Sequence, residues 1–285
     1  MGKMILNGAL VNDANLVAGA SNRGLRFGDG IFETFRVVKG IIQLEDLHFE
    51  RFYRGLKALG FDYPQHLNAG LLRTQIGVLC ESNGHRIARV RLTVFRGDGG
   101  LYDPANHAAN YIIQSWALDS ENWTFNENGL VAGIYPDARK TMDSFSSLKT
   151  NNFLCYAMGA LHAKKMQWND SIIFNAAGDI CETTIANIFI VKNGQVSTPA
   201  LSEGCIAGVV RTWLLGQLHS RGIFAEEKQI TKTELMSADE VFLTNSIYGL
   251  RWIKSIDAGE GKITNYSNQF GREIFDQVCK NPDDR

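Results

Sequence analysis

Two periodicities of apolar residues organise this chain. Residues 30–38 are apolar and β-branched after a Gly-Asp-Gly turn, which predicts a strand. Phe49, Phe52, Leu56 and Leu59 then recur at helical spacing and predict a helix over 44–59, with a second over 71–79. Val90, Leu92 and Val94 alternate with Arg89, Arg91 and Thr93, the period of a half-buried strand, and 111–118 reads as another. The stretch ALDSENWTFNENG is polar and has no period, so it predicts a linker. Beyond it come a strand over 130–134, a polar loop DSFSSLKTNN, and a helix over 152–165 ending in two lysines that suit its C-terminal dipole. Strands are expected at 171–174 and 184–191. Lys192-Asn193-Gly194 is a hairpin turn leading into 195–198. A glycine-rich turn, GCIAG, opens a helix over 209–218, and Thr231 and Glu234 have capping-box spacing. Val241-Phe242-Leu243 reads as a buried strand. Phe270, Ile274 and Val278 share one face of a helix over 265–278. The pattern is that of an α/β (mixed α+β) chain in two lobes, with domains over 1–118 and 130–285 and a linker at 119–129.

Composition narrows the function classes. Twenty-nine basic residues face thirty acidic ones, a formal charge of -1, so nothing favours nucleic acid or an anionic membrane. No apolar stretch approaches the ~20 residues that span a bilayer. The five cysteines are scattered without a CxxC pair, which points to reduced thiols in a cytoplasmic protein and away from a disulfide framework. The six histidines show no HExxH or paired metal spacing, so no metal site is expected. Neither a GxSxG elbow, a GxGxxG turn after a strand, nor a Walker motif occurs.

Five features carry candidate chemistry. Lys149 sits among small polar residues just before an apolar helix; a Schiff-base lysine needs an inward, partly desolvated position. Glu182 stands at the mouth of an apolar strand run, ICETTIANIFIV, where a carboxylate is out of place without a partner. The glycines of GCIAGVVR leave backbone N–H groups and a dipole suited to a phosphate. Arg51 follows His48 by three residues, on one helix face, and arginine is a natural clamp for a phosphate dianion. The segment FGDGIFETFR contains Phe27 and a strand able to aim Arg36 at a substrate carboxylate. Taken singly, each is also what an ordinary surface or core residue looks like. Their order along the chain is far more specific.

In that order the chain resembles the class IV aminotransferases, the group that includes branched-chain and D-amino acid aminotransferases and 4-amino-4-deoxychorismate lyase. The resemblance runs almost end to end, from MILNGALV and RGLRFGDGIFETFRV onward. LEDLHFERF resembles the family's His-x-x-Arg helix, which implies that Arg51 meets the cofactor phosphate. LKTNN resembles Lys-x-x-Asn and implies that Lys149 is the Schiff-base lysine for pyridoxal 5'-phosphate (PLP). ETTIANIF resembles the stretch whose glutamate partners the pyridine nitrogen, here Glu182. GCIAGVVR resembles the phosphate turn, implying backbone donors at Val209 and Val210, and LTNS implies a hydroxyl donor at Ser246. The implied fold is the two-domain D-amino acid aminotransferase-like arrangement, with PLP in the interdomain cleft, in a homodimer. The implied activity is transamination between an amino acid, branched-chain among the candidates, and a 2-oxo acid. Arg36 and Arg96 are candidates for the substrate carboxylate.

Several departures keep a second reading open. Val210 stands where the family has threonine. Phe153 and Leu154 occupy the region where branched-chain enzymes carry a tyrosine. FETFR leans toward those transaminases, whereas Asn245 and the loop FRGDGGLY resemble the lyase, which splits aminodeoxychorismate into 4-aminobenzoate and pyruvate.

Overall fold

The computed structural model describes residues 2–63, 67–120, 123–259 and 261–279. They fall into two compact units. The first comprises Met1–Glu121 with Leu148–Asn152, and the second Asn122–Ser147 with Phe153–Arg285. No described helix is long and apolar enough to cross a membrane.

The first unit contains, in chain order, β1 (Lys3–Leu6), β2 (Ala9–Asn12), α1 (Arg23–Phe27), β3 (Gly30–Val38), β4 (Ile41–Ile42), α2 (Glu45–Ala58), α3 (Ala69–Ser82), β5 (Ile87–Arg96) and β6 (Ala109–Ala117). Its sheet is antiparallel throughout, in the order β2-β1-β6-β5-β3-β4. Strand alternation sorts the side chains. Ile31, Phe35 and Val37 on β3 and Val90, Leu92 and Val94 on β5 join the core with Phe52 and Leu56 of α2 and Leu72 and Ile76 of α3. The other face of the same strands carries Phe32, Thr34 and Arg36, paired in register with Thr93, Arg91 and Arg89. Helix α3 starts two residues earlier than its apolar period predicts, because the Asn68 side chain caps it by accepting the Leu71 N–H.

The 148–152 segment, expected as part of a loop, is hydrogen-bonded to the start of β3. Phe32 N–H donates to the Lys149 carbonyl at 2.9 Å, and Asn151 N–H to the Gly30 carbonyl at 2.8 Å. The Asn151 amide also donates to the Val94 carbonyl at 3.0 Å. Gly30 is glycine for this reason: a Cβ there meets the Val94 carbonyl at 2.1 Å and the Asn151 amide at 2.4 Å.

The second unit contains β7 (Leu130–Lys140), α4 (Leu154–Met166), β8 (Asp170–Asn175), β9 (Ile180–Thr183), β10 (Asn187–Lys192), β11 (Gln195–Pro199), α5 (Val209–Ser220), β12 (Ala225–Lys228), α6 (Lys232–Ser237), β13 (Glu240–Asn245), β14 (Gly249–Asp257), β15 (Ile263–Asn265) and α7 (Gln269–Ile274). Its strands run in the order β12-β11-β10-β13-β14-β7-β8-β9, with β15 added to β14. The β11–β12, β14–β7 and β7–β8 pairs are parallel and the rest antiparallel. The sheet curls, so that Ile180 at the start of β9 donates to the Ile230 carbonyl just beyond β12. Ile172, Ile188, Val241, Leu243 and Ile253 fill the inside of the curl. Asn193 and Gly194 both have positive φ, the type I′ turn that Lys-Asn-Gly predicts. The Thr231–Glu234 capping box is formed in both directions.

Three expectations are corrected. The strand predicted over 184–191 begins only at Asn187, because Thr184 turns to donate its N–H and hydroxyl to Asp170 Oδ1. Glu182 therefore lies on a separate strand, β9, that the apolar run concealed. The helix predicted over 265–278 is reduced to α7 and a wider turn over Phe275–Cys279, since the chain before it pairs with β14. β14 itself had no predicted counterpart: Arg251 and Lys254 interrupt its apolar pattern, and its pairing with β13 and β7 makes it a strand.

Candidate active site

In the first unit the candidate lysine is held by main chain and aimed by an aromatic ring. The Lys149 ammonium lies 4.6 Å from the centroid of the Phe32 ring. The Arg91 guanidinium lies 3.8 Å from the same centroid, and its Nε donates to Thr93 Oγ1 at 3.0 Å. A lysine, an arginine and a phenyl ring thus lie on the sheet face opposite the core that α2 and α3 fill.

Behind that face, on the core side of β3, is a carboxylate. Glu33 accepts from Arg51 Nε at 2.8 Å and Nη2 at 2.6 Å, and from His48 Nδ1 at 2.8 Å. All three side chains are buried. Burial alone would push the Glu33 carboxyl up, but Arg51 and His48 outweigh it and hold the group at about 2. Burial, with the nearby positive charges of Arg51 and Lys149, pushes His48 down against the pull of Glu33, so the imidazole is neutral near pH 7 and its Nδ1–H donates. Arg51 is therefore anchored through one edge of its guanidinium, which fixes where the rest of that group points.

The second unit presents a different carboxylate. Glu182 is buried, and its Oε1 receives Lys140 Nζ at 2.6 Å and the Tyr156 hydroxyl at 2.6 Å. The Ile206 N–H reaches both carboxylate oxygens at 3.2 Å. Asn187 Nδ2 donates to the Ile206 carbonyl at 2.9 Å and approaches Oε2 at 3.4 Å. Burial first, and then Glu182, push the Tyr156 phenol far up, so it stays a neutral donor.

Beside this carboxylate α5 begins at Gly208 without a side-chain cap. The first-turn N–H groups of Val209 and Val210 have no acceptor within the helix, and the helix dipole adds to their affinity for an anion. A Cβ on Gly208 meets Asn187 Oδ1 at 1.9 Å, so any larger residue there must displace the Asn187 side chain. Thr244, opposite Asn187 on β13, is buried with its hydroxyl lacking a hydrogen-bond partner. Ser246 lies in the following turn, whose Ile247 and Tyr248 N–H groups are held by Asn245 Oδ1.

The remaining sequence candidates move. Arg96, expected to meet a substrate carboxylate, is buried in its own unit. It donates to Asp29 at 3.0 Å, to the Leu59 carbonyl at 2.6 Å and to the Gly60 carbonyl at 3.0 Å, over the Phe61 ring. Its even position on β5 sends it to the side of the sheet away from Arg91. Arg36 stays on the Phe32 face but donates to the Ser120 carbonyl. Phe27 packs on Tyr102 and under Arg23 and Arg26. Four residues were passed over: Arg91, Lys140, Tyr156 and Thr244. Only Arg91 had a legible signal, being on the alternating strand that also carries Arg89 and Thr93.

Comparison with known proteins places the chain in a family. The family model described as amino-transferase class IV matches residues 30–256. An aminodeoxychorismate lyase from Vibrio harveyi is 28% identical over 244 residues, covering 85% of this chain and 88% of that protein. A D-alanine aminotransferase from Bacillus licheniformis is 28% identical over 262 residues, covering 90% of this chain and 88% of the relative. Among solved structures, a branched-chain aminotransferase from Thermoproteus uzoniensis, crystallised with norvaline, superposes with a TM-score of 0.81 at 24% identity, covering 97% of this chain and 93% of the other. Relatives with transaminase and lyase names thus align over nearly the whole length, and the chain belongs to the PLP-dependent class IV aminotransferase family.

Proposed function

We propose that this protein binds PLP covalently through Lys149 and moves an amino group between an amino acid and a 2-oxo acid. The observation that carries the reading is the pinned backbone of Lys149, which sets its amine over the Phe32 ring, against which the Arg91 guanidinium also packs. Glu182 is the partner of the pyridine nitrogen; its buried carboxylate, with donors concentrated on one oxygen, suits that task. The phosphate is assigned to Arg51, the N–H groups of Val209 and Val210, and Ser246. The uncapped start of α5 and the partnerless Thr244 hydroxyl support a bound anion there. When bound, PLP supplies an electron sink for the bond broken at the substrate carbon. The protein's own part is acid–base: the Lys149 amine takes the proton from the substrate carbon and returns one. Arg91 replaces Arg36 and Arg96 as our choice for the substrate carboxylate, since its guanidinium shares the Phe32 ring with Lys149. A homodimer, on the resemblance, and a cytoplasmic setting, on the cysteine pattern, complete the proposal.

One feature favours the lyase as a second reading. The loop after β5 is built rather than loose: buried Arg23 donates to the carbonyls of Gly99, Leu101 and Tyr102 and pairs with Asp29, leaving the side chains of Leu101 and Tyr102 exposed. A lyase needs such a loop to hold a ring substrate. The test is the visible spectrum of the PLP-bound protein while single L- and D-amino acids are added. Conversion to the pyridoxamine form identifies a transaminase and its substrate class. A band that no amino acid shifts, with 4-aminobenzoate and pyruvate released from aminodeoxychorismate, identifies the lyase. Absence of any PLP band ends both readings.

Gly208→Ala is expected to weaken PLP binding at least about tenfold, since displacing Asn187 breaks its bond to Ile206 and disturbs the anion-binding turn. Absorbance titration of the variant with PLP measures it. Wild-type affinity in a variant with a wild-type melting temperature contradicts the assignment of that turn.

A further inference from the structure

The Glu182 carboxylate already has a cation. Lys140, at the end of β7, is 12% exposed at its side chain and makes an ion pair of 2.6 Å with Oε1. Tyr156 adds its hydroxyl to the same oxygen, and the Lys140 ammonium sits 5.2 Å from the Tyr156 ring centroid. Oε1 thus has a charged donor, a phenol and a share of the Ile206 N–H, which fills the lone pairs of one carboxylate oxygen. Oε2 has the other share of that N–H and a distant amide whose better bond is to the Ile206 carbonyl. A further donor therefore meets Oε2.

We propose that Lys140 is a positioning residue that turns Oε2 of Glu182 toward the cofactor ring nitrogen and, by its charge, limits how tightly that nitrogen keeps its proton. The inference rests on the assignment of Glu182 to the ring nitrogen. A protonated ring nitrogen and an ammonium on one carboxylate repel each other, so the ammonium weakens the protonated form. Lys140 thereby tunes the electron demand of the ring, which sets how readily the bond at the substrate carbon breaks.

Among the other described titratable groups around Glu182, only the Cys181 thiol reaches the carboxylate, with a long contact of 4.0 Å to Oε1. Burial first, with Glu182 adding to it, pushes up the thiols of Cys155 on α4, Cys181 on β9 and Cys205 before α5, the last to about 12. Arg139, next to Lys140, stacks on Phe174, and Arg211 of α5 is held by Glu227. Lys140 is the cation that touches the carboxylate among the described residues.

The experiment loads wild type and Lys140→Met with PLP labelled with nitrogen-15 in the ring, and follows the nitrogen resonance against pH. The variant is expected to lose the ring proton at a pH higher by roughly one unit or more. Lys140→Gln, which keeps a donor for Oε1 but no charge, must show the same rise, and Lys140→Arg must return the wild-type profile. A Lys140→Met profile that coincides with wild type overturns the proposal. So does loss of PLP binding in Lys140→Met and Lys140→Gln with retention in Lys140→Arg, which assigns Lys140 to building the site and not to tuning it. Failure of the underlying reading looks different: the wild type then takes up no PLP, or its ring nitrogen resonance is insensitive to Glu182→Gln.

Discussion

Lys149→Ala is expected to lower turnover by at least about 10⁴-fold while leaving the fold in place. The size follows from the two roles proposed for one amine, covalent attachment of the cofactor and proton transfer at the substrate carbon. Neither has a substitute among the neighbours. Arg91 stays protonated at all working pH values and cannot act as a base. His48 is neutral, but its Nδ1 is engaged with Glu33 on the core side of β3, away from the Phe32 face. The fold survives because the contacts that fix this segment are main-chain ones: the Lys149 carbonyl accepts from Phe32 and Asn151 N–H donates to Gly30, and alanine keeps both. Steady-state rates, a thermal melt and borohydride reduction of the PLP-loaded protein decide it. Trapping of PLP at another lysine, or activity within tenfold of wild type, sinks the assignment of Lys149.

The largest effect on stability is expected from Glu33. Replacing it with alanine leaves the Arg51 guanidinium and the His48 imidazole buried beside an empty site, and breaking a buried charged network in this way costs about 3–5 kcal/mol. The same group predicts a pH dependence. Its carboxyl is lowered from its ordinary 4.5 to about 2, a difference worth on the order of 3 kcal/mol for a fully buried group. Because the folded value is the depressed one, this stability is fully present above about pH 4.5 and is lost as pH falls toward 2. Urea unfolding of wild type, Glu33→Ala and Glu33→Gln at pH 7 and pH 3 measures both claims. The glutamine variant is expected to be less stable at pH 7 and to lose less between the two pH values. Equal losses in the two proteins would show that other carboxylates govern the acid limb.

The fold of the first unit was largely legible in the sequence because its long elements keep one period. β3, α2 and β5 each alternate or repeat over enough residues for the apolar side to declare itself, and the observed bounds lie within a few residues of the expected ones. Local chemistry was legible too: Asn193-Gly194 demands a type I′ turn, and Thr231 with Glu234 can satisfy each other's backbone in one way only. The order of motifs, from FGDGIFETFR through LKTNN and ETTIANIF to GCIAGVVR, was sufficient to name the family, because each motif constrains backbone and chemistry together.

Tertiary structure decided the identity of the partners. Glu182 draws its charged donor from 42 residues upstream and its phenol from 26 upstream, and no local pattern marks Lys140 or Tyr156 as belonging to it. Arg91 and Arg96 lie on one strand, yet the pleat sends one to the Phe32 ring and the other to Asp29 and the end of α2. Which face is core was settled by where α2 and α3 pack, not by the arginines. The break at Thr184 inside an apolar run, and the strand β14 across a charged one, have the same origin: backbone groups go to whichever partner the rest of the chain delivers, here Asp170 and the neighbouring strands. Sequence carries side-chain period and local hydrogen-bond chemistry; the partner of a buried charge is a long-range property, and for Lys149 and Glu182 that partner defines what the residue can do.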